Sequence, residues 1–120
     1  MFAGPPASVI EFALKKKFHL ITSSVILKEL ERNLVAKFDV SPRSAKKVIF
    51  RIIQVADVYE PKGTIRVIPN RHTDNLILET ALLGKARYLV TGDRKHLLPF
   101  KHFKNIRIIE PAHLLKILER

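Results

Sequence analysis

Apolar residues recur at three- and four-residue spacing through several stretches of the chain and run consecutively in others, the pattern of helices alternating with covered strands. Met1 to Pro6 reads as a loop, and Pro5-Pro6 leads into a helix from Ala7 to Lys17, since proline costs little in a first turn. Val9, Ile10, Ala13 and Leu14 form its buried stripe, and Phe18 to Thr22 reads as a strand. Ser23 and Ser24 are caps for a second helix reaching about Ala36, with Ile26, Leu30 and Leu34 inward. After a loop from Asp39, Ser41 caps and Pro42 enters a third helix. There Ala45, Val48, Ile49, Ile52, Ile53 and Ala56 keep the helical spacing, while Arg43, Lys46, Lys47 and Arg51 fill the other side.

Beyond the loop at 59–63, Ile65 to Ile68 predicts a short strand ended by Pro69. Asp74 opens a helix carrying Ile77, Leu78, Ala81 and Leu82, and Gly84 stands where a left-handed helix terminus favours glycine. Ala86 to Thr91, with Tyr88, Leu89 and Val90 consecutive, has the pattern of a parallel strand covered on both faces. Leu97 to Lys104 is a loop or short helix, Ile106 to Ile109 a strand, and Pro111 starts a last helix with Leu114, Leu115 and Leu118 inward. This alternation predicts an α/β fold on a parallel sheet.

A chain of 120 residues accommodates one domain with a single core. No apolar run is long enough to cross a bilayer, and the start lacks a signal-peptide pattern, because Lys15, Lys16 and Lys17 follow the first apolar run. A cytoplasmic protein is expected. With no cysteine, thiolate catalysis, disulfides and cysteine–zinc sites are excluded. A net charge of +11, from 22 basic and 11 acidic side chains, favours a polyanionic partner, with nucleic acid first. The basic side of the third helix is the most continuous such surface.

The chemistry concentrates at residues 69–98. In open α/β sheets ligands collect beyond the carboxyl ends of strands, so Asp93, leaving a strand through Gly92, is well placed for chemistry. Asp74 starts the preceding helix, and the two carboxylates can converge on one site. Each also has a plain structural role open to it: Asp74, or Thr73, as a helix cap, and Asp93 as a turn residue. Glu29 lies about 60° from Ile26 on the helical wheel, at the edge of the apolar face. Its plain role is a solvated partner for a basic residue one turn away. Phosphate-binding glycine loops, a serine elbow and histidine pairs at metal spacing are absent. His72, His96 and His102 share one half of the chain, and single histidines like these are more often surface residues.

Three segments resemble the PIN-domain ribonucleases, and within them the VapC-like toxin components of toxin–antitoxin systems. They are GPPASVIEFALKKKFHLITSSVILKELERNL at 4–34, DNLILETALLGKARYLVTGDRKHLL at 74–98 and IRIIEPAHLLKIL at 106–118. The resemblance implies a three-layer α/β fold, a central parallel sheet flanked by helices, over residues 1–120. It places Glu29, Asp74 and Asp93 as catalytic, metal-ligating acids for Mg²⁺ or Mn²⁺, with RNA as substrate, a cognate antitoxin protein as partner and a homodimer as the expected assembly. Arg71, Arg94 and Lys95 flank the aspartates and are expected to attract RNA. The alternative is a truncated or degenerate PIN-like domain that binds RNA or a protein without catalysis.

Two departures accompany the resemblance. Such proteins usually begin with a strand ending in Asp-Thr-Asn, the source of a first catalytic aspartate, and this chain starts at the loop just after it. Many also carry an acid two residues beyond the strand-end aspartate, where Lys95 stands here. Omitting a central strand would leave unsatisfied backbone groups along its neighbours, at about 1–3 kcal/mol for each buried one. Either an upstream segment, another chain or a rearranged strand is therefore expected to fill the gap, or the domain is expected to be unstable and inactive as written.

Overall fold

The computed structural model describes residues 2–3 and 7–119, with side chains from Ile10 onward. Capping sets its clearest helices. The Ser23 hydroxyl accepts the Ile26 N–H at 3.4 Å, and helix α2 runs Ser24–Ala36. The Ser41 hydroxyl accepts the Ser44 N–H at 3.1 Å, and Pro42 opens helix α3, Pro42–Val55. Helix α1, Ala7–Leu14, stops short of the lysine run, which lies in the following turn. Helix α4 spans His72–Leu83 and helix α5 spans Pro111–Leu118. The expected Pro5-Pro6 helix entry and the Val9 side chain lie outside the described residues.

The strands are β1 (Phe2–Ala3), β2 (Ile21–Thr22), β3 (Asp57–Val58), β4 (Tyr88–Thr91), β5 (His102–Phe103) and β6 (Ile106–Ile109). They form a four-stranded sheet in the order β1-β4-β6-β5 and a separate parallel pair, β2-β3. Strands β1, β4 and β6 are parallel, and β5 closes one edge antiparallel to β6. Successive strand residues point to opposite faces, so β4 and β6 supply both cores. Val90 and Ile109 join α1, α2, α3 and α5 through Ile10, Leu30, Ile52 and Leu114. Leu89 and Ile108 join α4 through Ile77, Leu78 and Ala81. Helices therefore cover the sheet on two sides, the α/β layering expected from the alternation.

Four local expectations are corrected. Met1 to Pro6 is not all loop: Phe2 pairs with Val90 and Ala3 with Thr91, so this segment forms the strand beside β4. Ile65 to Ile68 is not a strand, and β3 lies earlier, at Asp57–Val58. The backbone of 62–68 bonds side chains of α4 instead of a ladder. Glu79 accepts the N–H groups of Lys62, Gly63 (3.0 Å) and Thr64 (2.9 Å). Asn75 Oδ1 accepts those of Val67 and Ile68, while its amide donates to the Ile68 carbonyl at 2.9 Å. Gly84 is right-handed at φ −83°, and the left-handed residue is Lys85 at φ 54°. Glycine is needed at 84 for space: a Cβ there would lie 2.4 Å from Ile21 Cγ2. Ile53 stays 46% exposed, one position past the arc of α3 that Ala45 and Ile52 bury.

Candidate functional site

Asp74 sits in the first turn of α4, where a carboxylate is favoured by the helix dipole. It does not cap the helix. The N-cap position is Arg71, without a side-chain capping bond, and the buried Asp74 carboxylate instead accepts Arg71 Nε at 2.8 Å. Asp93 leaves β4 through Gly92, and both roles considered for it coexist. Its Oδ1 builds the turn by accepting the N–H groups of Lys95 (3.0 Å) and His96 (2.9 Å), and its own N–H donates to Thr91 Oγ1 at 3.0 Å. Its Oδ2 faces His96 Nδ1 at 3.4 Å. Burial alone would raise the Asp93 carboxyl, but the two backbone donors and the His96 ring outweigh it and hold the group below its usual range. Asp93 is therefore ionised at neutral pH.

The start of α4 and the end of β4 thus bring ligand atoms of Asp74, Asp93 and His96 within 4.8 Å of one another. Asp74 and Asp93 line a cleft of about 780 Å³, open between α2 and the α4 and β4 termini, and His96 stands beside them without lining it. Glu29 lines the same cleft from α2, but it stands outside that close group and its carboxylate is paired with Arg32 Nη2. Its helical-wheel position is as expected, at the margin of the buried face, with the side chain 34% exposed. The residue that sequence reasoning undervalued is His96. The available signal was its place three residues after Asp93, a spacing that a tight turn folds back onto the carboxylate.

Of the basic residues expected to flank the aspartates, Arg71 is bound to Asp74, Arg94 pairs with Glu110 at 3.1 Å, and Lys95 is exposed. His72 also lines the cleft, whereas His102 lies exposed on β5. On α3, Arg43, Lys46, Lys47 and Arg51 are all exposed, and none has a salt bridge among the described residues.

The sequence model of the PIN domain matches residues 1–95, most of the 120-residue chain. The chain belongs to the PIN-domain family. Comparison with curated proteins and with solved structures finds no match. Membership makes the chain a nuclease-like, RNA-related domain of a family that typically uses divalent metals. Glu29, Asp74 and Asp93 all fall within the matched span of this PIN domain, and His96 lies just beyond it. The donor set suits a divalent cation: two carboxylates that line an open cleft, one of them held ionised, with an imidazole close to both. Among the described residues no helix is long and apolar enough to cross a membrane.

Proposed function

We propose that this PIN domain is a Mg²⁺- or Mn²⁺-dependent endoribonuclease of the VapC-like toxin type, cleaving RNA phosphodiester bonds. The observation that carries the proposal is the convergence of Asp74 and Asp93, from a helix start and a strand end, in one cleft. These two carboxylates hold the cation, and Glu29 of α2 lines the same cleft. When bound, the ion offsets charge on phosphate oxygens and acidifies water.

The protein's own groups set up that chemistry. Backbone donors of Lys95 and His96 fix the Asp93 carboxylate and keep it charged, so it is ready to bind without rearrangement. Arg71 orients Asp74 and offsets its charge, which lessens repulsion of an approaching phosphodiester. Exposed Lys95 and the basic side of α3 attract RNA. A cognate antitoxin partner, homodimer formation and a cytoplasmic location rest on the resemblance of segments 4–34, 74–98 and 106–118 and on the composition.

The purified chain is expected to cleave single-stranded RNA in Mg²⁺ or Mn²⁺ and to stop when the ion is chelated. Cleavage that persists in chelator refutes metal dependence. One observation favours a second reading, RNA or protein binding without catalysis: Asp74 and Glu29 are both already engaged by arginines. RNA binding with no cleavage under any divalent ion would select it.

A further inference from the structure

Resting on the proposed metal site, we infer that the His96 imidazole is its third protein ligand and that the site therefore favours a first-row transition ion over Mg²⁺. The ring is placed for this by two constraints. The His96 N–H donates to Asp93 Oδ1 at 2.9 Å, which folds the turn, and Nδ1 then lies 3.4 Å from the other oxygen, Oδ2. Ligands each about 2.1 Å from one ion stand roughly 3–4 Å apart, so that spacing fits two donors sharing a cation. Asp74 completes the group within 4.8 Å.

Glu29 is the ligand the resemblance assigns from α2, yet its carboxylate is outside this group and paired with Arg32. His96 occupies the nearer position. The substitution of nitrogen for oxygen changes selectivity, because Mg²⁺ takes oxygen ligands while imidazole suits the later transition ions. The ring is only 28% exposed and Nδ1 already stands beside Asp93 Oδ2, so it meets an ion held by that carboxylate without leaving its place.

The test is calorimetric titration of Mg²⁺, Mn²⁺ and Co²⁺ into the full chain and its His96→Gln, His72→Gln and Asp93→Asn variants. His96→Gln keeps the backbone bond to Asp93 and removes only the imidazole. It is expected to weaken Co²⁺ at least about tenfold while Mg²⁺ changes less than about threefold, and to alter the visible spectrum of the Co²⁺ complex. His72→Gln, from the cleft that Asp74 and Asp93 line, is expected to bind all three ions as the parent does. In the parent protein, Mn²⁺ is expected to broaden the His96 ring resonances first among the histidines, a readout independent of any variant's folding. Equal Co²⁺ affinity in His96→Gln, with loss in Asp93→Asn, overturns the inference and leaves the nuclease reading standing. Loss in His72→Gln instead also overturns it. Absence of binding by all three ions in the parent removes the metal site itself.

Discussion

Replacing Glu79 tests whether the segment 62–68 is held by side chains of α4 in place of a strand ladder. Its carboxylate is buried and accepts the N–H groups of Lys62, Gly63 and Thr64. Removing it in Glu79→Ala strands three donors; the segment is partly exposed, so water compensates some of the loss. At roughly 1 kcal/mol for each donor the cost is about 3 kcal/mol, a large part of a domain stability of roughly 5–15 kcal/mol. Glu79→Gln keeps one acceptor oxygen and is expected to cost about 1–2 kcal/mol. Burial by itself raises the Glu79 carboxyl, but the backbone donors outweigh it and hold the group below its ordinary value of 4.5. A folded-state pKa below the unfolded one means stability that is complete above the unfolded pKa and lost as pH falls through the folded one. The gap between parent and Glu79→Gln should be full at pH 7, shrink below about pH 4.5 and vanish in stronger acid. Urea unfolding at several pH values measures it. A Glu79→Ala cost below about 0.5 kcal/mol, or a gap to Glu79→Gln that does not change with pH, would show that the Glu79 carboxylate does not hold this segment.

Two further outcomes are expected. Gly84→Ala should destabilise the fold by about 1–3 kcal/mol in denaturant unfolding, because the new Cβ meets the buried Ile21 side chain, whereas Lys85→Gly, relieving a left-handed residue, should be neutral or stabilising. Reversing Lys46, Lys47 and Arg51 to glutamate should weaken RNA binding and flatten its dependence on salt, by about 0.7 in log–log slope for each phosphate no longer neutralised; fluorescence anisotropy across a salt series reads both.

Where the determinants of structure are local, the sequence is legible. Ser23, Ser41 with Pro42, and Pro111 mark helix starts that the structure keeps, and Ile106–Ile109 is a strand as expected. The misses lie where distant residues decide. The 62–68 segment has strand-like apolar residues, but its backbone partners are side chains seven to seventeen positions away. Gly84 looks like a left-handed terminus, and only its contact with Ile21 of β2 shows that glycine is there for room. The two aspartates were legible because a helix start and a strand end place them by secondary structure alone. Their company was not: Arg71 satisfies Asp74, Arg32 engages Glu29, and His96 closes on Asp93 through a turn whose bonds the sequence pattern does not disclose.

Under the proposed function, Asp74 and Asp93 act as one metal-holding unit in RNA cleavage. Single-turnover cleavage of a labelled RNA in Mn²⁺ by the parent chain, Asp74→Asn, Asp93→Asn and the double variant tests it most directly. Groups that act together are non-additive, so each single variant should lose at least about a hundredfold in rate and the double variant should lose little more. Single variants that cleave at the parent rate, or losses that multiply in the double variant, would contradict it.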